Sequence, residues 1–174
     1  MKKGLFITFE GTDGVGKSTQ LRLCSQYLAD KGHDVIVTRE PGGCKISEQI
    51  RAIILDKENG AMSAECEALL YAAARAQHMR EVILPAIREG KTIICDRFYD
   101  SSIAYQGFGR MLGKELVRDI NKPALLGCLP DLTILLSLPP DKAFERKHGE
   151  KDDRIETSGD DFFRRVYEGF IQAA

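Results

Sequence analysis

The chain has 174 residues, 43% of them hydrophobic, and a formal net charge of -1. That is enough apolar material for one well-filled core and too little length for a second independent one, so a single domain over 1–174 is expected. Interspersed charges of both signs near balance give no reason to expect a polyanion such as nucleic acid bound along the surface. Cys24, Cys44, Cys66, Cys95 and Cys128 show no C-x-x-C spacing. They suggest neither a zinc site nor a disulfide framework, and isolated thiols fit a reducing cytoplasm. The first apolar run begins at Leu5, which leaves no room for a signal sequence. No apolar run approaches the ~20 residues of a membrane span.

In chain order, Leu5 to Glu10 is a near-continuous apolar run, the pattern of a buried parallel strand. It leads straight into Gly11-Thr12-Asp13-Gly14-Val15-Gly16-Lys17-Ser18. In this strand-then-helix setting the string is a phosphate-cradling loop: glycines let successive N–H groups turn inward, Lys17 reaches the outer phosphates, and the Ser18 hydroxyl can ligate Mg²⁺. A nucleoside triphosphate is the expected ligand. Lys17 to Lys31 carries Leu21, Leu23, Cys24, Tyr27 and Leu28 at helical spacing and stops at Gly32. A second strand, Asp34 to Arg39, runs into Thr38-Arg39-Glu40-Pro41-Gly42-Gly43. Ser63 to Gly90 is a long alanine-rich helical region in which Pro85 marks a kink or join. The third strand, Lys91 to Asp96, ends in Asp96-Arg97-Phe98-Tyr99-Asp100-Ser101-Ser102, and the fourth covers Leu132 to Ser137. Ser158 to Ala174 places Phe162, Phe163, Val166 and Phe170 toward one side of a last helix. Strands alternating with helices predict an α/β fold whose ligands gather at the carboxyl ends of the strands. Three polar clusters should converge on that rim.

The residues at the rim narrow the chemistry. A GTPase would carry a strand ending in D-x-x-G and an N/T-K-x-D segment for guanine; Asn121-Lys122-Pro123-Ala124 lacks the acidic residue. A motor or transport ATPase would place an acidic pair beside the loop, one for Mg²⁺ and one to activate water. This chain puts Arg97 beside Asp96 instead. That pair suits a kinase with a phosphate acceptor: Asp96 holds Mg²⁺ or its water shell, and Arg97 neutralises the incoming phosphate so that it can attack.

The strings FEGTDGVGKSTQL (Phe9 to Leu21), TREPGG (Thr38 to Gly43), LLYAAARAQH (Leu69 to His78), DRFYDSSIAYQG (Asp96 to Gly107), PDLTILL (Pro130 to Leu136) and DRIE (Asp153 to Glu156) together resemble the bacterial thymidylate kinases, which transfer the γ-phosphate of ATP to dTMP. They run in the family's order and cover nearly the whole chain. The resemblance implies a three-layer P-loop NTPase fold, a parallel sheet flanked by helices, with a short lid at about 145–156. It implies dTDP and ADP as products, in the supply of dTTP for DNA synthesis. It further implies ATP as co-substrate, Mg²⁺ as cofactor, small nucleotides rather than nucleic acid or membrane as partners, a cytoplasmic location and a homodimer formed by the helices beside the sheet.

Carried over residue by residue, the resemblance gives the ATP phosphates to Gly11, Thr12, Asp13, Gly14, Val15, Gly16, Lys17, Ser18 and Thr19, with Ser18 and Asp96 on Mg²⁺, directly or through water. Asp13 would also face the sugar hydroxyl and phosphate of dTMP. Arg97 would grip the dTMP phosphate, and Arg51 and Glu40 would line the same pocket. Tyr71 would stack on thymine where the family usually has Phe, and Arg75, one turn later on the same helix face, would hydrogen-bond the base edge. Ser102 and Gln106 would complete base recognition, with Tyr105 packed near the deoxyribose. His33, His78 and His148 lack metal-ligand partners in sequence and receive no metal-binding role.

The acceptor phosphate is already an anionic nucleophile, so catalysis should consist of alignment and charge neutralisation, carried by Lys17, Asp96, Arg97 and a lid cation. Members of the family carry an arginine either in the phosphate loop or in the lid; this loop holds none, so the resemblance implies that the lid, Arg146 to Arg154, supplies it. Arg154 and Arg146 are the first candidates, Lys147 and Lys151 the reserves. Two positions depart from the family pattern: Cys44 stands where Thr is common and Ala74 where Asp is frequent. The family normally continues past the lid helix into another strand and helix, without which Leu132 to Leu136 is expected at a sheet edge. Two other readings remain: a different nucleoside or nucleoside-monophosphate kinase, with Glu10 or Glu40 as base for a nucleoside acceptor, and a silent nucleotide-binding homologue.

Overall fold

The computed structural model describes residues 4–146 and 153–173. Among them β1 (Phe6–Glu10), β2 (Val35–Arg39), β3 (Thr92–Asp96) and β4 (Leu132–Leu135) form a parallel sheet in the order β2-β3-β1-β4. The register sets Asp96 opposite both Phe9 and Arg39, and Glu10 opposite Leu135. The strands therefore end level, and the loops that leave them open onto one rim.

The central strands carry apolar residues on both faces, which is why their sequences do not alternate. Phe6, Ile93 and Cys95 point to one side and Ile7, Phe9 and Ile94 to the other, each face following the two-residue period of a strand. The second face is covered by α1 (Lys17–Asp30), through Leu21, Cys24 and Leu28. Met79, Ile83, Ala86 and Phe98 cover the first. Helices on two faces of a parallel sheet give the expected three layers.

Alpha2 (Lys45–Leu55) and α3 (Ala64–His78) pack beside each other after β2. The expected long helix is two helices, α3 and α4 (Leu84–Arg88), joined by a π turn at Met79–Ile83. Pro85 lies at the start of α4. Having no N–H, it cannot bond back to the carbonyl four residues earlier, and the wider turn before it absorbs the defect without a break.

After β3 come α5 (Tyr99–Ser102), a second π turn at Ile103–Gly109, and α6 (Lys114–Asn121). Alpha7 (Pro140–Arg146) follows β4, and α8 (Asp160–Ala173) closes the described chain. The apolar side of α8, Phe162, Phe163, Val166 and Phe170, is buried against Ala104 and Tyr105 of the second π turn. Each of those aromatic rings contributes roughly 2 kcal/mol or more by leaving water. This packing fixes the π turn, and the π turn carries two of the expected site residues. At the far edge of the sheet, β4 leaves Leu132 51% exposed.

Candidate functional site

The loop between β1 and α1 has its cradle shape because of its glycines. Gly14 and Gly16 have φ of 80° and 95°, a left-handed conformation that side chains disfavour. A Cβ on Gly14 would overlap the carbonyl of Ala143 in α7, whereas one on Gly16 would stand in open space. Gly16 caps α1, and no side chain closes the end of that helix. Its first N–H groups are thus presented to an incoming anion, aided by the helix dipole. Lys17, 6% exposed, donates Nζ to the Thr12 carbonyl at 2.8 Å and lies 3.5 Å from Asp13. Burial, with Arg97 adding repulsion, pulls the Lys17 ammonium down from 10.5 to about 8. The ammonium is held ready for a partner more negative than a carbonyl.

Ser18 and Asp96 line one groove next to the loop, and Asp96 Oδ1 is buried with no hydrogen-bond partner among the described residues. An orphaned carboxylate oxygen beside a serine hydroxyl fits Mg²⁺, which takes one or two protein oxygens and completes its shell with phosphates and water. The two residues assigned to Mg²⁺ from the sequence thus share one groove.

Arg97 joins the phosphate loop to the space beside it. Its φ of 65° is left-handed, rare for a residue with a side chain, and turns the guanidinium back over the loop. Nη1 donates to the Gly11 carbonyl at 2.6 Å, Nη2 to Asp13 at 2.7 Å, and the guanidinium lies 5.2 Å from the Tyr105 ring centre. Glu10 holds the backbone that makes this turn. It is 1% exposed and accepts from the Phe98 N–H at 2.7 Å and the Ser101 hydroxyl at 2.5 Å. Burial, reinforced by Asp100, pushes the Glu10 carboxyl up from 4.5 to about 7 against those hydrogen bonds.

The pocket beyond Arg97 is walled by Asp13, Glu40, Arg51, Tyr71, Arg75, Ser102, Tyr105 and Gln106, every acceptor residue expected from the sequence. Arg75, 1% exposed, donates Nε to Glu40 at 2.8 Å, Nη1 to Ser102 at 3.0 Å and to Asn121, and Nη2 to the Phe98 carbonyl at 2.9 Å. Four of its five N–H groups are thus engaged among the described residues. Glu40 also pairs with His78 Nδ1 at 3.0 Å, while His78 Nε2 meets Thr38 at 2.7 Å. Arg51 donates to the Pro41 carbonyl at 2.9 Å. Tyr71 and Tyr105 are pushed well above the ordinary phenol range by burial, so both stay neutral.

Two expectations meet a different geometry. Arg154 does not join the phosphate loop: it is 7% exposed, donating Nη2 to Glu67 at 2.7 Å and Nε to the Ile54 carbonyl at 2.7 Å. It anchors the last part of the lid segment to α2 and α3, because a guanidinium this buried needs a carboxylate and carbonyls, and the adjoining ends of the helix pair supply both. Arg146, in contrast, is exposed at the end of α7, whose Ala143 abuts Gly14. Lys147 and Lys151 lie outside the described residues. The two departures from the family pattern meet in one place. Cys44 Sγ contacts the Ser47 hydroxyl at 3.1 Å, and Ser47 donates to the Ala74 carbonyl at 2.7 Å.

Glu67, Asn121 and His78 hold the pocket wall, and none was assigned a role from the sequence. The signal for Glu67 and His78 was helical spacing: both fall on the face of α3 that carries Tyr71 and Arg75. Asn121 comes from α6 and had no local signal.

Comparison with known proteins places the chain among its relatives. The thymidylate kinase family model matches residues 9–174. The thymidylate kinase of Pelotomaculum thermopropionicum is 49% identical over 174 residues, covering 99% of this chain and 81% of that protein. That of Finegoldia magna is 52% identical over 167 residues, covering 95% and 82%. The crystal structure of thymidylate kinase from Ehrlichia chaffeensis superposes with a TM-score of 0.80 at 32% identity, covering 98% of this chain and 86% of that one. On its sequence, its sheet and its rim, the chain belongs to the thymidylate kinase family.

Proposed function

We infer that the chain transfers the γ-phosphate of ATP to dTMP, giving ADP and dTDP. The observation that carries this reading is Arg97, which bonds to the phosphate loop at Gly11 and Asp13 and lines the acceptor pocket at the same time. A cation so placed can hold the acceptor phosphate in line with the triphosphate and offset the negative charge of both. Arg75 and Gln106 face the base, Tyr71 offers it a ring, and Tyr105 packs near the sugar.

When bound, Mg²⁺ on Ser18 and Asp96 would supply charge neutralisation between the β- and γ-phosphates. Lys17 and the N–H groups at the start of α1 hold the same phosphates from the protein side. For the lid cation the placement of α7 on Gly14 favours Arg146, with Arg154 retained as a structural anchor. A nucleoside acceptor is disfavoured because both carboxylates that could serve as its base are engaged: Glu10 by Phe98 and Ser101, Glu40 by Arg75 and His78.

The test is ADP release with ATP and, in turn, dTMP, dUMP, dCMP, AMP, GMP and thymidine. We expect dTMP to be the best acceptor; ADP release with dTMP no faster than without acceptor would sink the assignment. Homodimer formation is supported by Ile46 and Ile53 on α2 and Leu69 on α3, which are 47%, 48% and 57% exposed beside one another's helices. Ile53→Asp should convert the dimer to a monomer in light scattering, and an unchanged mass would place the interface elsewhere. No helix among the described residues is long and apolar enough to cross a membrane.

A further inference from the structure

Glu67 is 1% exposed on α3, yet nothing in the phosphate chemistry calls for a carboxylate there. It gathers donors from the π turn after α5, from the start of the following loop, and from Arg154 near the end of the lid segment. Gln106 Nε2 donates to its Oε1 at 2.9 Å. Arg110 Nε lies 3.1 and 3.2 Å from its two oxygens, and Arg154 Nη2 reaches Oε2 at 2.7 Å.

A carboxylate between two guanidiniums accepts hydrogen bonds and offers none. The Gln106 amide, 1% exposed, must therefore turn its NH₂ toward Glu67 and its Oε1 away from it. That oxygen is buried and has no partner among the described residues, while Gln106 lines the acceptor pocket together with Arg75. A flipped amide would set oxygen against carboxylate. Glu67 thus removes the twofold ambiguity that a glutamine would otherwise have.

We propose that Glu67 is a positioning residue that fixes the polarity of Gln106, so that the pocket presents one acceptor and one Arg75 donor to the base. The inference rests on the dTMP reading and specifies its chemistry. A pyrimidine with a 4-keto group and a ring N–H next to it matches that pair; one with a 4-amino group and a bare ring nitrogen opposes both. Through Arg154 the same carboxylate also ties base reading to the end of the lid segment.

Glu67→Gln is the test, because a glutamine can offer either end to Gln106 and lets its amide flip. In ADP-release assays on the full chain, wild type should prefer dTMP over dCMP; without that preference the dTMP reading itself fails, whatever Glu67 does. In Glu67→Gln we expect the preference to narrow by about tenfold, the worth of one well-made hydrogen bond, with KM for ATP unchanged. In a Gln106→Leu background the same substitution should leave the remaining preference unaltered. A fall in dTMP turnover with the dTMP-to-dCMP ratio intact would overturn the proposal and leave Glu67 as a structural anchor only. Should Glu67→Gln fail to fold, Glu67→Asp retains an acceptor-only carboxylate, and its ratio should stay within about twofold of wild type. A collapse of the ratio in that variant would refute the mechanism.

Discussion

ATP binding should take up protons in mildly alkaline solution, and the group responsible should be Lys17. In the free protein its ammonium is buried and repelled by Arg97; among the described residues it is held by the Thr12 carbonyl, a 3.5 Å approach to Asp13, and the charges of Asp96 and Glu10. The folded value of about 8, against 10.5 for a free lysine, means the native state binds fewer protons than the unfolded chain between those limits. Stability of the free protein therefore rises with pH across that window, by roughly 3 kcal/mol in all. Below about pH 8 the charged lysine is a burden on the fold. Phosphates placed against the ammonium reverse the balance and return its affinity for the proton.

At about pH 8.5 a group titrating near 8 is roughly three-quarters unprotonated, so ATP should draw in about 0.7 proton per site. Calorimetric titrations in two buffers of different ionisation enthalpy give that number directly from the difference in heat. Lys17→Arg keeps a cation in the loop but cannot release its proton, so the uptake should vanish in that variant even if binding persists. Uptake below about 0.2 proton in the wild type, or equal uptake in Lys17→Arg, would refute the account of Lys17.

Arg97→Ala should lower kcat/KM for dTMP roughly 100-fold, the loss of a charge-assisted pair, while the Kd for ATP changes by less than about fivefold. Equal losses for both nucleotides would remove its role between the two. Glu10, raised from 4.5 to about 7 by burial, makes the opposite contribution to Lys17 and in a different window. Its ionisation is disfavoured by the fold, so stability should fall by up to about 3 kcal/mol as pH rises through that range. Glu10→Gln should flatten this slope in urea unfolding at about pH 5 and pH 8, and a slope equal to that of wild type would contradict it. Phe162→Ala in α8, which removes a ring 3% exposed against Tyr105 and Phe163, should cost about 3–5 kcal/mol and lower Tm accordingly. A loss under about 1 kcal/mol would mean that α8 does not fix the π turn beneath it.

The four strands were legible because parallel strands read as near-continuous apolar runs, and this chain shows four of them, the two central ones buried on both faces. That the phosphate loop and Asp96-Arg97 would share one rim was legible because each string is continuous in sequence and follows directly on a strand. Arg154 was misplaced for the converse reason. From sequence it is one cation in a basic stretch, and nothing local says that Glu67, far back on α3, will claim it. The split of the long helix at the π turn was half visible: Pro85 announced a defect, but a kink, a break and a wider turn all satisfy a missing N–H. Asn121 illustrates the limit most clearly. Its carbonyl completes the Arg75 shell across the fold, and only the packing of α6 on α3 brings it there.

Three buried carboxylates share the work of building the rim, and each sets one reading group. Glu10 holds the Phe98–Ser101 turn that aims Arg97, Glu40 orients Arg75, and Glu67 turns Gln106. None needs to touch a nucleotide to do this. Burying such a group is unfavourable by several kcal/mol unless its donors stay in place, and deleting one partner leaves a desolvated charge at a cost of about 3–5 kcal/mol. An alanine at any of these positions would therefore report mostly that cost, and loss of activity would follow from loss of structure. Isosteric amides lower that cost, since they keep the volume and an oxygen acceptor for the partner, while removing the charge that dictates which way each reader faces. If the rim works as the geometry indicates, the amide variants should differ in kind: Glu10→Gln in its pH dependence and Glu67→Gln in its choice of base. Glu40→Gln should raise KM for dTMP with kcat less affected, because on the proposed reading Arg75 would meet the base and not the phosphates. A uniform loss of turnover in all three would mean that the carboxylates hold up the fold and nothing more.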